Sequence, residues 1–375
     1  MAGGGSNRIS RRSGGTRCRL FCMVGTVKKD KAMWHRLVEP MGFLFGPMAQ
    51  EAIRQGVALP FQNSTAAFTA VLLIEGDSAS GPVPVGAVPH AWLPVMQRLV
   101  SPVPDAGLPA GPLVMGILNT TPDSFSCAGQ HYHAGSALQA AEQMVRDGAG
   151  VLDIGGESTR PGAAVVSPQQ EWERVGPVLE GLRQSMPDVP LSVDTRNSLV
   201  MERALAAGAR VINDVSALGH DPAALPLLAK QQCGVVLMHM RGTPQTMEEH
   251  THYTDVACDV VRELGQRVEA AVEAGIARER LMVDPGFGFA KTQEQNVVLL
   301  RRILLLANLG CRVVCALSRK RMIGTLTGVA DPALRDSGTV AASLMAMPFG
   351  NPLLRVHAVA SMAQGVRVWQ GVQGG

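Results

Sequence analysis

The chain has 375 residues, of which 46% are hydrophobic and 17% charged, with a formal net charge of +3. This is the composition of a globular protein, and no apolar run reaches the roughly 18 residues that a membrane-spanning helix needs. The nearly balanced charge does not indicate a nucleic-acid partner. Seven cysteines without a CxxC pair predict reduced, buried thiols and a cytoplasmic location.

The N-terminal part of the chain has an irregular pattern. Residues 1–32 are rich in Gly, Ser and Arg and predict a disordered basic tail. Residues 33–112 predict a small extension with a helix over 48–56 and a strand over 66–76, but no function for it. Its Pro/Gly-rich stretches are interpreted as linkers, at 80–89 and 101–112.

From residue 113 to 372 the pattern becomes regular. Short runs rich in Val, Ile and Leu alternate with helical stretches such as 133–148 and 254–275, which is typical of a parallel sheet covered on both faces. The runs are 114–119, 151–156, 191–195, 211–215, 235–240, 281–286, 312–317 and 353–357. Their number and the length of the segment predict an α/β fold, a (β/α)8 TIM barrel behind an N-terminal extension. A doubly wound open sheet is the alternative.

Polar side chains are concentrated at the C-terminal ends of these runs. They are Asn119, Asp153, Asp194, Asn213, Asp214, His239, Asp284, Ser318, Arg355 and His357. A carboxylate or amide inside a buried strand is costly unless it is paired. In a barrel all strand ends meet at one face, where active sites form. The pattern therefore predicts a polar cup above an apolar barrel.

Each of these residues also has a purely structural interpretation. Asp194 precedes a helix that it could cap. Asp153 lies within its run, which favours a structural role, and His239 on an apolar strand is more often a satisfied core histidine than a catalyst. Asn213 and Asp214 could brace the barrel rim.

Three Gly- or Pro-containing loops rich in hydroxyl groups follow predicted strands, at 119–130, 155–163 and 318–324. Loops of this kind on a rigid scaffold commonly bind ligands. The third loop places Ser318, Arg319 and Lys320 at the mouth after the seventh strand, where barrels often bind phosphate. These residues predict an anionic ligand, such as a phosphate ester.

The order of the motifs resembles that of the dihydropteroate synthase family over residues 113–370. The motifs are MGILNTTPDSFS (115–126), DIGGESTRPGA (153–163), SVDT (192–195), INDV (212–215), LMHMRGTPQTM (237–247), DPGFGF (284–289), SRKRMIG (318–324) and RVH (355–357). The resemblance implies a transferase that joins 7,8-dihydropterin-6-ylmethyl diphosphate to p-aminobenzoate and releases pyrophosphate, in folate biosynthesis.

The resemblance also implies a set of residues that bind the pterin. Asp284 would accept N–H groups of the aminopyrimidine edge, and Asn213 can both donate and accept. Lys320 would donate to the carbonyl group, Arg355 would stack on the ring, and Met238 would contact it.

Charge development in the family's loose, cation-like transition state implies further roles. Asp194 would stabilise the positive charge on the pterin, while Arg355 and His357 would stabilise the departing pyrophosphate. Mg²⁺ is the implied cofactor, with Asn119 as the protein ligand. The residues implied for the p-aminobenzoate pocket are Thr159, Arg160, Phe289 and Ser318. The implied partners are these two small molecules and a second copy of the chain in a homodimer, with neither nucleic acid nor membrane.

Some positions depart from the family pattern. Cys127 and Ala128 replace the usual Asp-Gly after SFS, Ala358 replaces the usual Asp after RVH, and Arg321 follows SRK. An active enzyme is still expected, because none of these positions contacts the pterin edge. The alternatives are a catalytically silent pterin-binding homologue and a pterin-dependent methyltransferase.

Overall fold

The computed structural model describes Met1 and residues 34–120, 130–157 and 166–373, with the backbone alone for 130–134. Its described residues from Trp34 onward belong to one compact unit. Within these ranges no helix is long and apolar enough to cross a membrane. The tail predicted over 1–32 lies outside the described residues, apart from Met1.

The N-terminal extension contains an antiparallel sheet and two helices. Its elements are β1 (Arg36–Leu44), α1 (Gly46–Arg54), β2 (Leu59–Pro60), β3 (Ala67–Glu75), β4 (Ser78–Pro84) and α2 (Leu93–Val100). The central strand β3 pairs with β1 on one side and with β2 and β4 on the other. The helix over 48–56 and the strand over 66–76 are confirmed, as α1 and β3.

The prediction of a linker over 80–89 is wrong in its first half, because these residues belong to strand β4. The strand lies at a sheet edge and is almost wholly exposed, so it lacks the alternation of apolar and polar residues that reveals a half-buried strand. Prolines are tolerated at such an edge, where no ladder hydrogen bond is required of them.

A closed barrel of eight parallel strands follows, which confirms the (β/α)8 prediction and excludes the open sheet. Its strands are β5 (Leu113–Asn119), β6 (Val151–Gly155), β7 (Leu191–Asp194), β8 (Val211–Asp214), β9 (Gly234–Met238), β10 (Leu281–Asp284), β11 (Arg312–Cys315) and β12 (Leu353–Val356). The described helices around it are α3 (Gln130–Asp147), α4 (Pro168–Ser185), α5 (Ser198–Ala206), α6 (Ala224–Ala229), α7 (Val256–Glu273), α8 (Gln293–Arg301), α9 (Arg321–Thr327), α10 (Asp336–Ser343) and α11 (Val359–Gln373).

The register of the strands places the predicted polar ends side by side. Asn119 is opposite Gly155, Gly155 is opposite Asp194, and Asp194 is opposite Asn213. On the other side of β9, Met238 is opposite Asp284. Consecutive strands are parallel and end at the same level, so side chains that are distant in sequence surround one opening.

The opposite end of the barrel is closed by residues 101–112, which were interpreted as a linker. Ala106 and Leu108 are buried in one apolar cluster with residues of the barrel strands. The fully buried Arg312 donates hydrogen bonds to the carbonyl oxygens of Asp105, Pro109 and Gly111. The linker interpretation is therefore wrong for this stretch. Its residues are packed against the barrel, and its backbone carbonyl groups provide hydrogen-bond acceptors for the buried Arg312.

Side-chain caps define the start of several outer helices. Ser167 and Gln170 form a capping box at α4, and Thr292 and Gln295 form another at α8. Asp255 accepts two backbone N–H groups at the start of α7. These caps fix where each helix begins after its loop.

Candidate active site

The C-terminal face of the barrel contains a polar inner pocket of ≈ 80 Å³ that opens into an outer cavity of ≈ 1160 Å³. The inner pocket is lined by Asp194, Asn213, Val215, Met238, Asp284, Gly286, Phe287, Phe289, Ala316, Lys320 and Arg355. The outer cavity shares Asp194, Phe289, Lys320 and Arg355 with it and adds Asn119, Ser318 and His357, among others. Both lie where the predicted polar strand ends converge.

Arg355 at the end of β12 crosses the pocket floor and pairs with two carboxylates. Its Nε donates to Asp153 Oδ2 at 2.6 Å, and its Nη2 donates to Asp194 Oδ2 at 2.7 Å. Burial lowers the pKa of the guanidinium, but the two carboxylates outweigh this and raise it. Arg355 is therefore a fixed positive charge between two acids.

Asp194 lines both the inner pocket and the outer cavity, and it pairs with Arg355. Burial raises the pKa of this carboxyl group to about 7, with Arg355 acting in the opposite direction. The interpretation of Asp194 as a helix cap receives no support, because α5 begins after Asn197 and the Ser198 amide donates instead to Asp221. The Asp194 carboxylate thus faces Arg355 and the two cavities.

Asp284 is the last residue of β10, and one of its two carboxylate oxygens already accepts a hydrogen bond. Its Oδ1 accepts the Gly286 amide at 2.7 Å, and Oδ2 has no hydrogen-bond partner among the described residues. Burial raises the pKa of Asp284, while the Gly286 amide and the cations Lys320 and Arg355 lower it. A buried acceptor therefore lines the pocket.

Lys320 follows β11 and enters the pocket from the third predicted loop. Its Nζ donates to the Phe287 carbonyl at 2.6 Å and lies 4.4 Å from the centre of the Phe289 ring. Burial lowers the pKa of Lys320 to about 8, and the neighbouring Asp284 opposes that change. The ammonium group is held by a carbonyl and an aromatic face, so it keeps donor capacity for a ligand.

Asn213 at the end of β8 donates through Nδ2 to Asp153 Oδ2 at 3.1 Å. The same carboxylate oxygen accepts Arg355, so Asp153 joins two pocket residues from beneath. Sequence reasoning favoured a purely structural Asp153. Its position within the strand concealed the contact, because its partners are distant in the chain.

Of the predicted residues, Asn119, Ser318 and His357 line the outer cavity, whereas Asp214 lines neither cavity and accepts the Ser216 and Leu218 amides. Ser318 Oγ lies 2.8 Å from His357 Nδ1 and accepts the His357 backbone amide. Arg319 lines the outer cavity, as expected at the mouth, and its Nε and Nη2 donate to Asp336 at 2.8 Å. The ion pair fixes Arg319 against α10, and of the three cations in this loop, Arg319, Lys320 and Arg321, Lys320 lines the inner pocket.

Thr159 and Arg160 lie outside the described residues, as do Cys127 and Ala128. Among the residues that the structure does describe, no group of three or more His, Cys, Asp or Glu side chains could hold a metal ion. Asn119 lines the outer cavity, and its side chain makes no hydrogen bond within the described ranges.

A buried network behind the pocket was not predicted. Lys291 donates to the Gly286 and Phe289 carbonyls at 3.0 and 2.9 Å, and its Nζ lies 3.0 Å from His239 Nδ1. His239 Nε2 in turn lies 3.0 Å from Glu263 Oε2. The lysine donates to Nδ1, so the histidine carries its proton on Nε2, and burial followed by Lys291 lowers the His239 pKa to about 4.

The interpretation of His239 as a satisfied core residue is therefore the one that the geometry favours. By donating to the Gly286 and Phe289 carbonyls, Lys291 fixes the backbone of the segment that contains Phe287 and Phe289. These two phenylalanines contact Lys320. The signal that could have revealed it is a lysine immediately after a Gly-rich loop at a strand end.

Comparison with known proteins identifies the family of the chain. A family model described as "Pterin binding enzyme" matches residues 115–357. The chain is 47% identical over 263 residues to dihydropteroate synthase of Neisseria meningitidis serogroup C, a match that covers 69% of this chain and 92% of that protein. It is 42% identical over 257 residues to dihydropteroate synthase of Escherichia coli strain K12, covering 68% and 90%.

Solved structures give the same result. Dihydropteroate synthase of Xanthomonas albilineans with 4-aminobenzoic acid has a TM-score of 0.66 and 48% identity, covering 71% of this chain and 94% of that chain. The enzyme from Xanthomonas albilineans in complex with 7,8-dihydropteroate has a TM-score of 0.62 and 43% identity, with the same coverage. A dihydropteroate synthase of Yersinia pestis with a sulfonamide drug complex has a TM-score of 0.66 and 42% identity, covering 71% and 95%.

Proposed function

The chain belongs to the pterin-binding enzyme family, among its dihydropteroate synthases, and on that premise we propose how its cup performs the reaction. The enzyme is a transferase of folate biosynthesis that joins 7,8-dihydropterin-6-ylmethyl diphosphate to p-aminobenzoate. We assign the pterin to the inner pocket and the arylamine to the outer cavity. The observation that carries this assignment is the convergence of Asp194, Asn213, Asp284, Lys320 and Arg355 on one pocket.

The inner pocket offers acceptors and donors in the pattern that a pterin edge needs. Asp284 keeps one carboxylate oxygen for N–H groups, since the Gly286 amide occupies the other. Lys320 can donate to the pterin carbonyl, and the Met238 side chain lines the wall. Arg355 is held flat by Asp153 and Asp194, which leaves its face for stacking on the ring.

The same groups favour the loose transition state. The bond from the pterin methylene carbon to the diphosphate oxygen breaks as the arylamine nitrogen approaches, and positive charge develops on the pterin. Asp194 lines the pocket beside Arg355, so an ionised Asp194 places negative charge close to where that positive charge appears. His357, beside Ser318 in the outer cavity, is assigned to the departing pyrophosphate.

Asn119 and the diphosphate are proposed to hold Mg²⁺. An amide oxygen without a partner in the described residues, at the wall of a wide cavity, fits an ion that keeps most of its water. Bound there, the ion would neutralise charge on the leaving group. Removal of Mg²⁺ by a chelator is expected to slow turnover, and an unchanged rate would refute the assignment.

The p-aminobenzoate pocket is proposed to contain Phe289 and Ser318, which line the outer cavity, together with Thr159 and Arg160. The arylamine needs no strong base, because it is neutral and nucleophilic before it reacts, and the ammonium formed with the C–N bond then releases its proton to solvent. The departures at Cys127, Ala128 and Ala358 are proposed to affect the rate and not the chemistry.

Pyrophosphate release tests the proposal. The chain is expected to release pyrophosphate from the pterin diphosphate when p-aminobenzoate is present, with formation of dihydropteroate. A silent homologue would release none under either condition, and a pterin-dependent methyltransferase would instead take a methyl group from a methylated pterin. Lys320→Ala is expected to lose activity, whereas Lys230→Ala, on the exposed outer surface, should retain it.

A homodimer is also proposed. Large exposed hydrophobic side chains occur on the last helical elements, namely Leu326, Leu334, Met345, Val368 and Val372. Burial of these side chains against a second copy would remove their apolar surface from water. Light scattering on the wild type and on Val368→Glu tests this.

The cytoplasm is the proposed location, because the four described cysteines are unpaired and buried, as in a reducing compartment.

A further inference from the structure

A fully buried carboxylate lies directly beneath the inner pocket and is not part of its lining. Asp153 on β6 is 0% exposed, and its Oδ2 accepts both Arg355 Nε at 2.6 Å and Asn213 Nδ2 at 3.1 Å. Its Oδ1 has no partner among the described residues. We infer that Asp153 is a positioning residue that fixes the orientation of the Asn213 amide and thereby selects the hydrogen-bonding pattern of the heterocycle.

The types of the atoms in contact determine the amide orientation. Arg355 Nε can only donate, so Asp153 Oδ2 is an acceptor in this contact. Asn213 approaches the same oxygen and must present its NH₂ group, since its carbonyl oxygen would face another acceptor at 3.1 Å. The orientation of an asparagine amide is ordinarily inferred from its hydrogen-bond network. Here a donor-only neighbour leaves one solution.

This orientation has a consequence for ligands. With Nδ2 turned toward Asp153, the Asn213 carbonyl oxygen is the opposite arm of the amide, and it has no hydrogen-bond partner within the described ranges. Asn213 lines the inner pocket, so it offers an acceptor to a ligand N–H there. A reversed amide would offer donors and would favour a ligand carbonyl at the same place.

The burial of Asp153 argues for such a role and against a purely stabilising one. A buried ion pair is often replaceable by apolar side chains at little cost to stability. Asp153 also leaves one buried oxygen unpartnered, which costs free energy. The Asp153 carboxylate provides one acceptor, which Arg355 and Asn213 share. Arg355 is already paired with Asp194, whereas the Asn213 amide could otherwise rotate.

The inference rests on the proposed function, because it concerns the pteridine bound by the inner pocket. Two probe ligands distinguish the amide orientations. A 2-amino-4-oxopteridine carries an amino group at C2 and one ring N–H beside it, whereas the 2,4-dioxo analogue carries a carbonyl there and an N–H on both adjacent ring nitrogens. Wild-type Asn213 should favour the amino compound, and a reversed amide should favour the dioxo analogue.

The test measures both dissociation constants by calorimetry in matched variants. Asp153→Asn keeps an acceptor for Arg355 and Asn213 but removes the charge, so the preference for the amino compound should stay within about twofold of the wild type. Asp153→Leu has a similar shape but no acceptor, so the preference should fall about tenfold. Asp153→Ala gives the same comparison in a smaller side chain, should the leucine variant fail to fold.

A double variant isolates the residue through which Asp153 acts. In an Asn213→Leu background, Asp153→Leu should change the preference no further. An unchanged preference in Asp153→Leu and Asp153→Ala would overturn the inference, as would an equal loss in Asp153→Asn, since that variant keeps the acceptor that orients Asn213. Failure of the wild type to bind either pteridine would instead refute the proposed function.

Discussion

At the scale of single residues, the inner pocket combines charges that burial alone would disfavour. Burial raises the pKa of Asp284 and lowers that of Lys320 to about 8, and each of the two opposes the shift of the other. Burial thus favours the neutral form of each group, whereas their attraction for each other favours the charged forms. A ligand that pairs with both groups would favour the charged forms, so binding and protonation are coupled.

The first residue-scale prediction concerns the acceptor at the pterin edge. Asp284→Asn should weaken binding of a 2-amino-4-oxopteridine by about 2–4 kcal/mol, because the amide keeps its oxygen on Gly286 and turns a donor toward the ligand N–H. Calorimetry measures the loss. Asp336→Asn removes a carboxylate that pairs with Arg319 and should leave the affinity unchanged. Unaltered affinity in Asp284→Asn would remove this residue from the pterin site.

The second prediction concerns pH. Burial holds the Lys320 pKa at about 8, below its ordinary value, so the ammonium is present below that pH and lost above it. Pteridine affinity should therefore fall as the pH rises through 8. Lys320→Arg stays charged, so its alkaline decrease should be smaller. The affinities of the wild type and of Lys320→Arg for the same pteridine are measured by calorimetry across this pH range. Ionisation of the ligand and of Lys291 affects both proteins equally, so a difference between them is due to residue 320. Identical alkaline slopes would contradict the assignment.

At the scale of elements, one side chain forms the hydrogen bonds that a neighbouring strand would otherwise make with the outer edge of β1. Asn308 Oδ1 accepts the Val38 amide at 2.9 Å, and its Nδ2 donates to the Val38 and Leu305 carbonyls at 2.8 Å. The asparagine is fully buried in the 3-10 helix Ile303–Leu309. It thus joins the extension to the outer layer of the barrel through backbone groups that would otherwise be unsatisfied.

Asn308→Leu should therefore destabilise the protein by about 2–4 kcal/mol, because it leaves the Val38 amide and carbonyl buried without partners. Urea denaturation gives the free energy of unfolding. Gln55→Leu removes an exposed hydrogen bond with Glu51 and should change stability by less than about 0.5 kcal/mol. Equal effects of the two substitutions would show that Asn308 carries no special role.

At the scale of the whole molecule, the extension and the barrel share an interface that contains charge. Arg302 donates to Glu39 on β1 and to Asp255 at the start of α7. Trp34 packs on α7 where Gly265 leaves space, and a Cβ there would lie 2.3 Å from the ring. The division into tail, extension and barrel stays a prediction, and the interface implies that the last two unfold together.

Arg302→Leu is expected to lower the free energy of unfolding by about 2–3 kcal/mol, because it leaves Glu39, only 15% exposed, without its partner. A single denaturation transition is expected in the wild type. The control is Arg36→Leu, whose pair with Glu75 is 39% and 48% exposed and should contribute less than about 1 kcal/mol. Separate transitions of the two parts, or equal effects of both substitutions, would contradict a shared interface.

The sequence by itself determined the barrel and the location of its site. Apolar runs such as 211–215 and the polar residues that end them are local features, and parallel strands must end at a common face. Asp194, Asn213, Asp284 and Arg355 follow from that rule, and Lys320 follows from the loop after the seventh strand.

Only the tertiary structure decided how these residues are paired. Asp153 meets Arg355 across 202 positions of the chain, and Arg312 meets Asp105 across 207. Arg319 and Lys320 are adjacent in sequence, yet one pairs with α10 and the other enters the pocket. Periodicity reports which face of an element is buried, whereas a buried polar group takes its partner from whichever segment the fold places beside it.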